Sequence, residues 1–228
     1  MQDARTLLIQ IGKLQINTGM PPETPNVSNA YNLKTPEDSI TFYADWAASY
    51  DQDFVREQGY LLHLHVAHNF AQSGGAGPVL DVGAGTGVCG AALRDLGPSP
   101  IDGTDISEDM LRIAARKDTY RDLFSADILK GLPVADGAYS GVVSSGTFTS
   151  GHVGPEGLNE LIRITKPGGL IAISIHTRHY NSAGFAQVLE SKKADISDLS
   201  LTEVRIYDTT ATGDHKDDTA FVAQFRRT

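Results

Sequence analysis

Ten residues constrain this chain more than any others: Val79-Leu80-Asp81-Val82-Gly83-Ala84-Gly85-Thr86-Gly87-Val88. They follow a Gly-rich loop, Ser73-Gly74-Gly75-Ala76-Gly77-Pro78, and begin as a short apolar run suited to a buried parallel strand. Glycine then occupies every second position, and a helical pattern over 88–96 is closed by Gly97-Pro98. Strand, glycine turn and helix N-terminus in that order make a cradle. The backbone turns tightly and lets a ligand approach, and the free N–H groups at the helix start attract an anionic or polar group. Pro100-Ile101-Asp102-Gly103-Thr104-Asp105 reads as a second strand ending in Asp105. That acid falls about 20 residues after the glycines, where a Rossmann-like unit holds ribose hydroxyls. The alternative for the glycines is a turn in an α/β domain that binds no nucleotide.

At 228 residues, 40% of them hydrophobic, the chain has room for one α/β domain with a sizeable core and an N-terminal extension. A formal net charge of −9 argues against a nucleic-acid partner, which wants a basic face. The single cysteine, Cys89, excludes an intramolecular disulfide and reads as a packing residue in the helix after the glycines. No apolar run approaches the length of a membrane span. Residues 1–20 lack the basic start, long apolar centre and cleavage site of a secretory leader. The expectation is a soluble cytoplasmic protein that engages neither nucleic acid nor membrane. The oligomeric state stays open, a homodimer included.

Three regions are expected: an N-terminal arm over 1–35, partly flexible and rich in Pro, Asn, Ser and Thr after residue 17; a helical lid region over 36–72; and an α/β core over 73–228. In the lid region Tyr43, Trp46, Tyr50 and Phe54 recur at spacings of three and four, so they share one helical face. That stripe either docks the helix on the core or covers a ligand cleft. A further helix over 59–72 carries His63, His65 and His68, which do not share a face as metal ligands would. Ser107 caps the helix after the second strand, with Glu108-Asp109 in its first turn. A third strand is expected over 120–128, a fourth over 139–145 with a loop-like end, and a helix over 156–164 stopped by Lys166-Pro167-Gly168-Gly169. A fifth strand over 170–175 ends at His176, and a helix over 185–193 follows. Strands over 201–207 and 219–225 are joined by a short polar turn and must be antiparallel.

The pattern Asp81-x-Gly83-x-Gly85-x-Gly87, followed by Gly103-x-Asp105-x-Ser107-x-x-Met110-Leu111, resembles the class I S-adenosylmethionine-dependent methyltransferases. Within that group the small-molecule-type members similar to the Williams–Beuren syndrome region methyltransferase fit best. The residues that carry this are Tyr43-Ala-Asp-Trp-Ala-Ala-Ser-Tyr50-Asp51, Ala126-Asp127, Leu132-Pro133, Tyr139-Ser-Gly-Val-Val143, Gly151-His-Val-Gly-Pro155 and Lys166-Pro-Gly-Gly169. The resemblance implies a Rossmann-like seven-stranded, mostly parallel sheet with an antiparallel C-terminal hairpin and helices on both faces. It also implies S-adenosylmethionine as cofactor and S-adenosylhomocysteine as product. On the matching positions, Gly83, Gly85, Thr86 and Gly87 would cradle the methionyl part, with Asp81 ordering the loop from behind. Asp105 would take both ribose hydroxyls, Ile106 and Met110 would sandwich the adenine, and Asp127 with Ile128 would read its amino edge. Tyr50 would reach the carboxylate, and the Ser145 backbone would hold the amino group. The alternative for Asp127 is a capping acid at a strand end.

Methyl transfer is a direct displacement at an activated carbon, so the protein aligns the reactants and excludes water. A base is needed only for an acceptor that arrives protonated, which favours His152 or His176 at the strand ends. Tyr43, Trp46, Thr147, Phe148, His152 and Tyr180 are the candidate walls for a small-molecule acceptor. Amino-group methyltransferases usually carry Asn/Asp-Pro-Pro-Tyr/Phe after the fourth strand, and this chain has Ser145-Gly146-Thr147-Phe148. Two other readings remain: a protein that binds the cofactor without turnover, and a nicotinamide-dependent oxidoreductase, which the glycine spacing disfavours.

Overall fold

The apolar run at the start of the glycine stretch becomes the middle of a seven-stranded sheet. The computed structural model describes residues 27–30, 33 and 35–228, so most of the expected N-terminal arm lies outside the described residues. Val27–Ala30 form one helical turn (α1). The next helix (α2, Pro36–Trp46) opens on a capping box. Thr35 Oγ1 accepts from the Asp38 N–H and the Asp38 carboxylate accepts from the Thr35 N–H, each at 3.1 Å, with Pro36 supplying the preset first turn.

The helical stripe expected over 36–54 breaks after Trp46. A short turn leads into a single π-helical segment, Asp51–Arg56. The break keeps the aromatic residues together rather than along one straight face: ring centroids lie 5.1 Å apart for Trp46–Tyr50 and 5.0 Å for Tyr50–Phe54. Helix α3 (Leu62–Gln72) starts three residues later than the periodicity suggests. Gly59, at φ +61°, turns the chain first, and Tyr60 bridges to Tyr207.

The core then runs β1 (Val79–Val82), α4 (Val88–Asp95), β2 (Ile101–Asp105) and α5 (Glu108–Ala114), with a 3₁₀ turn over Ala115–Lys117. It continues with β3 (Leu123–Ser125), a 3₁₀ turn over Ile128–Lys130, β4 (Tyr139–Phe148), α6 (Gly157–Ile164) and β5 (Thr165–His176). Helices α7 (Thr177–Ser182) and α8 (Phe185–Ser191) lead to β6 (Ile196–Arg205) and β7 (Thr219–Arg227). The spatial order is β3-β2-β1-β4-β5-β7-β6, parallel from β3 to β5, with β7 antiparallel to both its neighbours. The chain leaves β1 toward β2 on one side and returns to β4 on the other. That switch opens a crevice at the carboxyl ends of β1 and β4.

Alternation along β1 splits the core. Leu80 and Val82 pack with α6 and α8 through Leu158, Leu161, Phe185 and Leu189. Val79 packs on the opposite face with α3 and α4 through Val66, Phe70 and Leu93. A third cluster joins Tyr60 and Leu62 to Ile206, Tyr207 and Ala220, fastening the start of α3 to the hairpin.

Several boundaries differ from expectation. Strand β3 is only three residues long. Strand β4 continues to Phe148 because Phe148 pairs with Ile175, and a register shift accommodates Gly146 at φ +80°. Strand β5 begins at Thr165, with Lys166-Pro167-Gly168-Gly169 absorbed as an irregularity opposite Tyr139 and Gly141. Strand β6 begins five residues before the expected start, and α7 lies where no helix was expected.

Candidate functional site

A cleft of about 930 Å³, its open mouth included, lies over the carboxyl ends of β1, β2 and β4. Its floor is the glycine turn. Gly83 and Gly85 take φ +71° and +55°, a region that glycine enters without strain. A Cβ on Gly83 would overlap the Thr147 hydroxyl, whereas one on Gly85 would meet nothing within 4 Å. The Gly85 backbone thus looks onto open space, as a surface that receives a ligand must.

Asp105, at the end of β2, fixes that turn. Its Oδ2 accepts from the Gly85 N–H at 2.8 Å and its Oδ1 from the Ser107 N–H at 2.9 Å. Each carboxylate oxygen keeps a further lone pair for a ligand hydroxyl. Burial raises its pKa above the ordinary carboxylate value, opposed by these backbone N–H groups. Ile106 and the buried Met110 give the cleft an apolar wall, with Ile128 also in the lining. Asp127 lines it too, while also capping the following turn: its Oδ1 accepts from the Leu129 N–H at 2.9 Å. Tyr43, Tyr50, Ser145, Thr147 and His152, all anticipated from the sequence, line it as well.

Three anticipated residues stand behind the cleft rather than in its lining. Asp81 is fully buried and its Oδ2 accepts from the Tyr120 hydroxyl at 2.7 Å. Burial pushes its pKa up to about 7, against that hydrogen bond. Gly87 is the N-cap of α4, and a side chain there would collide with Tyr120 and Ala114. Thr86 turns its hydroxyl away, donating to Asp51 Oδ1 at 2.5 Å. Lys117 Nζ completes this latch, donating to Asp51 Oδ2 and to the Thr86 carbonyl, each at 2.5 Å. Asp51, Lys117 and Tyr120 therefore shape the site; Asp51 closes the Tyr43–Asp51 motif, whereas no spacing in the sequence marks Lys117 or Tyr120. Only a cluster of glycines hints at Tyr120: side chains at Gly90 and Gly103 would also strike its ring.

A second cavity, about 590 Å³ with its mouth, meets the first at Tyr43, Tyr50, Gly146 and His152. Trp46 and Phe148 line it, as do Phe54, Tyr60 and Tyr207, which sequence reasoning left out of the site. Both ring nitrogens of each candidate base have a partner. His176 Nδ1 accepts from the Arg178 N–H at 3.2 Å and its Nε2 faces Asp218 Oδ2 at 3.3 Å, so both nitrogens are engaged. His152 Nδ1 faces the Ser150 carbonyl at 3.3 Å and its Nε2 faces the Tyr43 hydroxyl at 3.1 Å. Burial lowers the pKa of both, which keeps them neutral.

Tyr180 is not brought to either cavity. Helix α7 turns it onto Phe185, with ring centroids 6.0 Å apart, and against Phe221 at 4.9 Å. It packs the core instead of walling a pocket. His63 is likewise packed, stacked on Tyr60. Among the described residues no three His, Cys, Asp or Glu side chains are grouped to hold a metal, and no helix is long and apolar enough to cross a membrane.

An anionic acceptor beside an apolar wall and an open glycine turn suits a nucleoside with a charged tail. Comparison with known proteins agrees. A model described as a methyltransferase domain matches residues 79–169. Human methyltransferase-like protein 27 is 30% identical over 170 residues, 71% of this chain and 67% of that protein. A demethylmenaquinone methyltransferase of Renibacterium salmoninarum is 32% identical over 96 residues, 42% of this chain and 40% of that one. Among solved structures, the DhpI–SAH complex superposes with a TM-score of 0.59 at 19% identity, covering 84% of this chain and 96% of that one. The [4+2]-cyclase SpnF gives 0.63 at 14% identity, covering 85% and 97%. At such identities these two show a shared fold, and a fold alone does not fix chemistry. The relative matched across two thirds of its own length carries the assignment further: the chain belongs to the class I S-adenosylmethionine-dependent methyltransferases.

Proposed function

We propose that this protein moves the methyl group of S-adenosylmethionine directly onto a small organic acceptor held beneath the lid region. The observation that carries the reading is the pair of joined cavities, one walled by glycine, acid and aliphatic groups, the other by aromatic rings. Bound in the first, the cofactor supplies a methyl group already activated by its sulfonium. Asp105 is assigned the ribose hydroxyls, a charge-assisted pairing. Ile106 and Met110 are assigned the adenine faces, and Asp127 with the Ile128 N–H its amino edge. Gly83 and Gly85, supported by Thr86, Gly87 and Asp81 behind them, would face the methionyl part. Tyr50 and the Ser145 backbone would take its carboxylate and amino ends. Burial raises the Tyr50 pKa well above the ordinary phenol value, so its hydroxyl stays a donor.

In this reading residues 36–72 act as a lid on a catalytic core over 73–228, in a soluble cytoplasmic protein. The charge of −9 favours a free small molecule over a polyanion as acceptor.

Calorimetric titration with S-adenosylhomocysteine tests the cofactor site. Asp105→Ala should weaken binding by about 1–2 kcal/mol or more, through loss of hydrogen bonds to a charged group. Equal affinity in the variant would overturn the role given to Asp105. Release of S-adenosylhomocysteine across an acceptor panel then separates an enzyme from a protein that only holds the cofactor.

A further inference from the structure

We infer that the second cavity takes an uncharged, planar aromatic acceptor bearing a free hydroxyl, and that Tyr43 and His152 receive its proton. The inference rests on the methyl-transfer reading above and names the substrate class for the same site.

The walls point first to a flat, apolar ligand. Rings of Tyr43, Trp46, Phe54, Tyr60, Phe148 and Tyr207 surround the cavity. Among the described residues, no Asp, Glu, Lys or Arg lines it. A carboxylate or ammonium entering it would lose its water and gain no opposite charge. Both histidines in the lining are neutral, because burial lowers their pKa. The indole N–H of Trp46 is buried and has no partner among the described residues, so this wall presents the cavity with the ring rather than with a polar group.

The proton's route follows from hydrogen-bond direction. A carbonyl only accepts, so His152 Nδ1 carries the hydrogen that faces Ser150 O at 3.3 Å. The Nε2 lone pair is then the acceptor for the Tyr43 hydroxyl at 3.1 Å. Tyr43 and His152 both line the junction of the two cavities, where an acceptor atom must meet the methyl group. His176 offers no such lone pair, since its Nδ1 already accepts from the Arg178 N–H. In the transfer, a bond forms from the acceptor oxygen to the methyl carbon while the carbon–sulfur bond breaks, its electron pair staying on sulfur. The acceptor's proton passes to Tyr43 Oη as the Tyr43 proton passes to His152 Nε2, and the imidazolium returns it to water afterwards. A phenolic hydroxyl ionises near pH ~10, within range of a neutral imidazole acting as the new bond forms. An aliphatic alcohol holds its proton far more tightly.

Trp46 is the only tryptophan in the chain and lines this cavity, so its fluorescence reports occupancy directly. Protein saturated with S-adenosylhomocysteine is titrated with naphthol and catechol, and separately with cyclohexanol, phenethylamine and benzoate. Saturable quenching by the first pair and none by the other three is the expected result. Equal response to all five, or response to phenethylamine or benzoate alone, overturns the inference, as does silence toward both hydroxyaromatics. His152→Gln should leave the quenching titration in place while lowering kcat for methylation of the hydroxyaromatic that binds by about tenfold or more, a general-base loss. Tyr43→Phe, which keeps the ring and removes the hydroxyl, should do the same and serves if His152→Gln misfolds. A kcat unchanged in the folded variant removes the proton route. Failure of S-adenosylhomocysteine itself to bind would instead defeat the methyl-transfer reading, and calorimetry detects that separately.

Discussion

Asp81 shows how a single buried carboxyl can set the pH response of the ligand-free protein. Its folded pKa of about 7 lies above the ordinary value of about 3.9. Between those two pH values the folded state holds a proton that the unfolded chain has released, so its contribution to stability falls as pH rises from about 4 to about 7. Above pH 7 the penalty stays constant. Asp81→Asn removes the ionisation and keeps an oxygen to accept from Tyr120. The stability advantage of that variant should be near zero at pH ~4 and grow to at most ~4 kcal/mol at pH ~8, three pKa units at about 1.4 kcal/mol each. Urea denaturation of both proteins at the two pH values checks this, and an advantage independent of pH would contradict it. Tyr120→Phe strips the carboxylate of its hydroxyl donor. It should cost about 1–3 kcal/mol at pH 8 and less at pH 5, because a bond to the charged form is the stronger one.

At the level of elements, the latch between the lid and the glycine turn joins three separate pieces of chain. Asp51 opens the π-helical segment, Thr86 belongs to the turn, and Lys117 ends the 3₁₀ turn after α5. The Asp51 and Lys117 side chains are 36% and 24% exposed, so solvent screens the pair and its worth stays below about 1 kcal/mol. Lys117→Met should therefore barely move the denaturation midpoint. It should raise hydrogen exchange several-fold at the amides of residues 51–56, and added salt should do the same to the parent protein. Unchanged exchange in that segment would mean the latch does not hold the lid. The latch also marks where sequence reasoning stops. Strands β1 and β2, the glycine turn and the Ser107 cap were legible because neighbours in sequence create them. The partners in the latch are 31 to 66 positions apart, and nothing local announces such a meeting. Tyr180 went astray for the same reason, since the turn of α7 that sends it to Phe185 depends on packing. The end of β4 reads as a loop from its small polar residues, and only pairing with β5 makes it strand. The early part of β6 is exposed nearly throughout, so it shows no alternation to read.

Across the whole molecule, the second cavity joins the N-terminal helical region, the end of β4 and the segment after β6. Tyr60 lies within residues 36–72 and Tyr207 follows β6, and both are walls of it. Main-chain bonds hold these two segments together: the Leu61 N–H donates to Ile206 O at 2.8 Å and the Asp208 N–H to Gly59 O at 2.9 Å. Gly59 makes the junction possible. It sits at φ +61°, and a side chain there would overlap the Asp208 carboxyl group. The cofactor cleft is lined by the ends of β1, β2 and β4, by α5, and by segments after β3 and β4, and includes neither Tyr60 nor Tyr207. Gly59→Ala should therefore cost about 1–3 kcal/mol through backbone strain and weaken quenching of Trp46 by a bound hydroxyaromatic. It should leave S-adenosylhomocysteine affinity much less affected. A ligand at a hundredfold its Kd adds about 2.7 kcal/mol to stability, which for a chain of this size is a rise in Tm of roughly 5–10 °C. That rise should appear in the parent and in Gly59→Ala alike, each at a hundredfold its own Kd. If the variant shows no rise at that loading, S-adenosylhomocysteine binding depends on the Gly59 junction, and the division into a lid over 36–72 and a core over 73–228 is wrong.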